Sequence, residues 1–162
     1  MIVLGIDPGL ATTGFGVVSY RNGKVSLVEY GVLKTLPRQN FPERLDIIGK
    51  DMEEIIQEFK PDLSAVESLF FAKNTKTAIS VAHARGVVLF VLKNNLIPIL
   101  EFTPLQVKSS ICGYGQAEKS QVQRLVASEL NLKEVPSQDD AADALAVAIC
   151  GAYQSKEVYD LS

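Results

Sequence analysis

The run Ile2-Val3-Leu4-Gly5-Ile6-Asp7-Pro8-Gly9-Leu10-Ala11-Thr12-Thr13-Gly14-Phe15-Gly16-Val17-Val18-Ser19-Tyr20 decides the fold. Its first segment, Val3 to Ile6, is apolar and has the length of a buried strand. Gly14 to Tyr20 reads as a second strand, and the segment between them is dense in turn formers. Lys24 to Leu33 continues as a third strand after Arg21-Asn22-Gly23, in which Asn-Gly is a strong hairpin signal. The chain therefore opens with three consecutive antiparallel strands.

Beyond this meander the periodicity changes. From about Pro42 to Phe59, the residues Leu45, Ile48, Met52, Ile55, Ile56 and Phe59 recur three and four apart, as in an amphipathic helix. Pro61-Asp62 stops that helix, and Leu63 to Glu67 reads as a short fourth strand. A second helix is predicted from Thr75 to Asn94, apolar nearly all round in its second half and therefore deeply packed. Ile97 to Phe102 reads as a fifth strand. Helical segments near Pro104–Ser110, Ala117–Asn131 and Ser137–Tyr153 complete the chain, with a glycine loop at Cys112-Gly113-Tyr114-Gly115. This order predicts an α/β fold with a mixed five-stranded sheet, three antiparallel strands and then two parallel ones, flanked by helices. No repeat or linker divides it, so residues 1–162 read as a single domain.

With 162 residues, 47% of them hydrophobic, the chain can bury a full core, which excludes intrinsic disorder. Cys112 and Cys150 have no metal-ligand spacing. The N-terminus lacks a basic leader region, and the longest apolar run, Val87 to Leu92, falls far short of the ~20 residues of a membrane span. A reduced, soluble, intracellular protein is expected. Lys+Arg number 16 and Asp+Glu 19, a formal charge of −3 that argues at first against a nucleic-acid partner. The charge is unevenly spread, however. Residues 68–128 hold seven basic and two acidic side chains, a balance of +5, and the remainder carries −8.

Part of that acidity stands where a core should not tolerate it. Asp7 and Glu67 each end an apolar strand. Ser137 is the natural N-cap of the last helix, so Asp139 and Asp140 fall in its first turn, where the helix dipole favours acids. Asp143 lies past that turn, next to a small apolar run, and shares a helical face with Asp140. A buried carboxylate cluster is unfavourable unless a divalent cation joins it. Two strand-end acids and a helical pair could hold two ions, the arrangement that hydrolyses phosphodiesters.

With these residues placed, the sequence resembles the RuvC family of crossover junction endodeoxyribonucleases, the bacterial Holliday-junction resolvases of the ribonuclease-H-like fold. The likeness is carried by LGIDPG at 4–9, TGFGV at 13–17, AVES at 65–68, FAKN at 71–74 and ARGV at 84–87. It continues through QVK at 106–108, GYGQAEKSQVQ at 113–123 and DAADALAVAI at 140–149. The resemblance implies that Asp7, Glu67, Asp140 and Asp143 bind metal, with two Mg²⁺ per active site and Mn²⁺ able to substitute. It makes Lys119 a catalytic contact to the scissile phosphate and Lys108 a second contact to DNA phosphate. Phe70 matches a stacking aromatic near the opened crossover, with Phe71 beside it as an alternative, and Lys73 is a further expected DNA contact. Asp139 is expected to be a cap or an outer acid.

The resemblance further implies paired, symmetric nicking of four-way DNA junctions in recombination and repair, leaving 5′-phosphate and 3′-hydroxyl ends. It implies a cytoplasmic bacterial homodimer working with the branch-migration proteins RuvA and RuvB. The extended apolar surface of the 75–95 helix is expected to form part of the dimer surface. Two Mg²⁺ would shift the formal charge from −3 to +1, so the acidic average does not exclude DNA. Three other readings share some of these features. One is a ribonuclease-H-like nuclease for RNA or another branched DNA. Another is a catalytically inactive DNA-binding module. An actin-like or sugar-kinase-like fold also opens with G-x-D-x-G, but it needs two such domains. His83, the only histidine, reads as a packing or hydrogen-bonding residue.

Overall fold

A computed structural model describes residues 1–69 and 75–159. Six-residue β1 (Ile2–Asp7) pairs antiparallel with β2 (Thr12–Arg21), which pairs antiparallel with β3 (Lys24–Lys34). The hairpin between β2 and β3 turns through Asn22 and Gly23, both at positive φ (51° and 78°), as the Asn-Gly signal requires. Helix α1 (Phe41–Phe59) crosses to β4 (Leu63–Glu67), and α2 (Thr75–Asn94) crosses to β5 (Ile99–Phe102). Both β1–β4 and β4–β5 are parallel, giving the sheet order β3-β2-β1-β4-β5. Then come α3 (Pro104–Cys112), α4 (Lys119–Glu129) and α5 (Asp139–Tyr159). The predicted order and the mixed sheet are both present.

Alternation along β1 sorts its side chains between two cores. Leu4 and Ile6 face Ile48, Met52, Ile55 and Val88 of α1 and α2. Val3 faces the other layer, with Val122 and Val126 of α4 and Leu145 to Cys150 of α5. Local chemistry sets the helix starts. Asn40 and Glu43 form a capping box on α1, and Thr103 and Gln106 form another on α3.

The structure corrects four local expectations. Strand β5 begins at Ile99, because Pro98 has no N–H to donate and serves as an acceptor from Ser64 instead. Helix α4 is shorter at both ends than expected, with Glu118 at its N-cap position and Ala117 buried before it. The last helix opens at Asp139: the Gln138 carbonyl accepts its first i→i−4 bond, so Ser137 is not the N-cap. Finally, the deep packing expected of α2 holds on one side only. Ala84, Val88, Val91 and Leu92 are buried, whereas Ile79 and Phe90 on its other side are 68% and 64% exposed. His83, also exposed, bonds the Ile79 carbonyl through Nδ1 (2.7 Å) and meets the Phe41 ring edge-on.

Candidate active site

Two neighbouring strand ends supply the first two acids. Pairing of β1 with β4 runs to Ile6 and Val66, so Asp7 and Glu67 are the next residues on adjacent parallel strands. Their carboxyls stand close enough for each to affect the other's ionisation. The helix that carries the other two acids reaches them because the sheet beneath it lacks side chains. Gly14 pairs with Asp7 across β1 and β2, and a Cβ on Gly14 would stand 1.9 Å from the Asp140 carbonyl oxygen. A Cβ on Gly5 would stand 2.2 Å from the Ala144 carbonyl oxygen. Small residues on α5 complete this close contact: Ala141, Ala142, Ala144 and Ala148 are fully buried. Asp140 and Asp143 thus descend onto the β1 end.

Carboxylate oxygens of Asp7, Asp140 and Asp143 all lie within 4.8 Å of one another. Burial pushes the Asp7 carboxyl well above the usual carboxylate range, and the charges and hydrogen bond of its acidic neighbours push it further. Burial also raises Glu67, helped by Asp143 and opposed by the Asp7 hydrogen bond and Lys119. Asp143 is raised by burial against the pull of Lys119. These groups resist ionisation together, as carboxyls crowded together out of water do.

Lys119, the first residue of α4, answers the cluster from the opposite side. Its Nζ lies 2.8 Å from Asp143 Oδ2 and 3.4 Å from Asp139 Oδ2. Burial pulls the ammonium down, but the bonds to Asp143 and Asp139 outweigh it and hold the proton more tightly than usual. Lys108 of α3 joins Glu67, Lys119 and Asp143 in lining a cleft of about 140 Å³, floored by Val107, Val122 and Ala146. The doubled acid at 139–140 divides cleanly. Asp140 turns to Asp7, while exposed Asp139 accepts from Gln123 Nε2 (3.0 Å) and faces Lys119; the Gln123 bond first, and then the Lys119 charge, hold its carboxyl below the usual range.

The donor set fits a hard divalent cation. Mg²⁺ takes oxygen ligands at about 2.1 Å in an octahedron, so ligand oxygens stand about 3–4.2 Å apart. Carboxylates already within 4.8 Å need only a small contraction to reach that spacing. Among the described residues no His or Cys joins the group, which leaves an all-oxygen site suited to Mg²⁺ or Mn²⁺.

Phe70, Phe71 and Lys73 lie outside the described residues. Three site features escaped sequence reasoning. The Gly5 and Gly14 approach to α5 is one. The bond from Gln123 to Asp139 is another. The third is Arg85, whose Nε donates to the Glu67 carbonyl (3.3 Å) and whose guanidinium pairs with Glu101. Arg85 and Gly14 both stand inside motifs that carry the family likeness, but nothing in those motifs announces their contacts.

A mixed sheet in this order, with acids at the ends of its two central parallel strands and on a helix packed across them, defines a ribonuclease-H-like nuclease. Residues 3–151 match the family RuvC, described as crossover junction endodeoxyribonuclease. The RuvC crossover junction endodeoxyribonuclease of Clostridioides difficile strain 630 is 49% identical over 156 residues, 96% of this chain and 92% of that protein. That of Ruminiclostridium cellulolyticum is 50% identical over 150 residues, 93% and 90% of the two chains. Thermus thermophilus RuvC, solved in complex with a Holliday junction substrate, superposes with a TM-score of 0.92 at 36% identity, covering 98% of this chain and 96% of that one. The chain belongs to the RuvC family of crossover junction endodeoxyribonucleases.

Proposed function

We propose that this chain resolves four-way DNA junctions by paired, symmetric nicks, in homologous recombination and repair. The observation that carries the reading is the convergence of Asp7, Asp140 and Asp143 on one point, with Glu67 and Lys119 beside it. Asp7, Glu67, Asp140 and Asp143 are the metal ligands and two Mg²⁺ the resident ions, replaceable by Mn²⁺. When bound, the ions supply activation of the attacking water and neutralisation of the leaving oxygen.

The chain's own residues hold the rest of the chemistry. Lys119, anchored on Asp143, presents a compact positive charge to the scissile phosphate as negative charge develops. Lys108, on the cleft's other wall, holds a neighbouring phosphate. The proposal extends to Phe70 and Lys73 as DNA contacts flanking the crossover. Cleavage leaves a 5′-phosphate and a 3′-hydroxyl.

Two symmetric nicks need two active sites. A second copy supplies the other by docking on α2, where Phe90, Gly86, His83 and Ala82 face Leu45 of α1 in an open apolar groove. Residues 1–162 act as one catalytic domain in the bacterial cytoplasm, alongside RuvA and RuvB. Among the described residues no helix is long and apolar enough to cross a membrane.

Labelled four-way junction, linear duplex and RNA–DNA hybrid distinguish the readings. Paired nicking of the junction in Mg²⁺, absent in EDTA and in Asp7→Asn, is the expected result. Cleavage confined to RNA-containing strands would replace this reading with the ribonuclease one. Junction binding without nicks at any metal concentration would leave only a DNA-binding module.

A further inference from the structure

Glu67 is the last residue of β4, and its carboxylate direction depends on how firmly that strand end is held. Pairing with β1 stops one residue earlier, at Val66. On the β5 side the ladder reaches Glu67 and Phe102, followed by a bond from the Ser68 N–H to the Phe102 carbonyl (2.8 Å). A side chain from a different layer reinforces this point. Arg85 of α2 sends Nε to the Glu67 carbonyl (3.3 Å), and its guanidinium grips Glu101, which stands in register with Val66 on β5. The Arg85 side chain is only 17% exposed. Its planar fork donates in two directions at once, toward a main-chain carbonyl and toward a carboxylate; a lysine ammonium lacks that fixed fork.

We infer that Arg85 is a positioning residue for the metal site: it fixes the main chain of Glu67, and thereby the aim of the Glu67 carboxylate at the ions. Arg85 touches neither substrate nor metal. The inference rests on the reading of Glu67 as a ligand. Outer-shell partners of metal ligands typically change affinity by about 10–100-fold when replaced, and Arg85 acts on the ligand's backbone in that manner. Glu101 is the counter-charge of the Arg85 guanidinium, while the bond to Glu67 is made separately through Nε.

The test uses the full chain and Mn²⁺ alone, with affinity read by titration calorimetry and stability by thermal melting in EDTA. Arg85→Lys keeps a charge opposite Glu101 but loses the fork, and is expected to bind Mn²⁺ about tenfold or more weakly. Junction nicking by Arg85→Lys then needs a correspondingly higher Mn²⁺ concentration for half-maximal rate, with the saturating rate reduced less. Glu101→Gln, which leaves the Arg85 donor on Glu67, is expected to melt earlier yet bind Mn²⁺ within about threefold of the parent. Unchanged Mn²⁺ affinity in Arg85→Lys would overturn the inference and leave Arg85 a layer anchor. Equal losses in Arg85→Lys and Glu101→Gln would overturn it too, since general loosening then explains both. Glu67→Gln separates the two levels. If it binds Mn²⁺ like the parent, the ligand reading fails and takes the inference with it. If it binds weakly while Arg85→Lys does not, only the inference fails.

Discussion

Gly14 and Asp140, 126 positions apart in the chain, meet so closely that a single added carbon would stand 1.9 Å from the Asp140 carbonyl oxygen. The contact places the first turn of α5 directly on the β2 backbone, beside the position where Gly14 pairs with Asp7. One glycine therefore sets the distance between a strand-end acid and a helical acid. The Gly5 approach to Ala144, one turn further along α5, keeps the same helix seated.

Gly14→Ala tests this directly. The methyl group must lift the start of α5, because its obstacle is backbone rather than a flexible side chain. Overpacking of this kind costs about 1–3 kcal/mol, or about 2–4 °C of Tm per kcal/mol in a chain of this size. Displacement of a reacting group by about 1 Å costs about 10²-fold in rate. The expected outcome is a lower Tm in a melting scan and junction nicking reduced about a hundredfold. Full activity would show that the helix can shift without moving Asp140.

The metal-free cluster gives the molecule an unusual pH dependence. Asp7, Glu67 and Asp143 all carry native pKa values above their ordinary ones, burial being the largest cause in each. Between about pH 4 and those raised values the native state binds more protons than the unfolded chain. Stability in EDTA therefore falls as pH rises through that window. Asp7→Asn removes the group that resists ionisation most and is expected to melt higher than the parent in EDTA at pH 8. With Mg²⁺ held at the proposed site, the order is expected to reverse. At a hundred times its Kd an ion stabilises the parent by about 2.7 kcal/mol, and the variant gains much less. A metal-free parent that melts highest at pH 8 would contradict the shared burial of these acids.

Lys119 is held by Asp143, so its removal has two separable consequences. In the role proposed for Lys119, Lys119→Ala loses charge at the scissile phosphate, and a lost transition-state contact of this kind costs about 10²–10³-fold in rate. It also removes one phosphate contact, which lowers the slope of log affinity against log salt by about 1. Single-turnover nicking and junction binding across a salt series read these independently. Asp139→Asn, by contrast, is expected to leave Mn²⁺ affinity unchanged while Asp140→Asn lowers it, because only Asp140 faces Asp7.

The sequence made the strands legible because β1 alternates between two cores and Asn22-Gly23 can close only one kind of turn. Asp7 and Glu67 were visible because each interrupts an apolar run, and Asp143 because it lies beyond the turn where a dipole explains an acid. Contacts to backbone were not visible. Neither the Asp140 carbonyl above Gly14 nor the Glu67 carbonyl beside Arg85 leaves a side-chain signature in the chain. Ser137 misled because cap propensity is local, whereas the start of α5 is set by where the helix lands on Gly14. The expectation that the second half of α2 is deeply packed holds for Val88, Val91 and Leu92 but not for Phe90, because hydrophobic content does not say which face meets a core.

The exposed side of α2 carries the last prediction. Phe90 is 64% exposed and lines a groove with His83, Gly86 and Val87, while Val88 and Val91 behind it are buried. A charge at position 90 therefore leaves the core intact but is strongly unfavourable in an apolar interface. Phe90→Glu is expected to keep the parent Tm and Mn²⁺ affinity and to sediment as a monomer, whereas the parent is expected to sediment as the proposed dimer. Its nicks on a four-way junction lose their pairing: single-nicked junctions accumulate, because two active sites no longer arrive together. A Phe90→Glu dimer that still makes paired cuts would place the contact on another face. A monomer that makes paired cuts would detach symmetry of cleavage from self-association altogether.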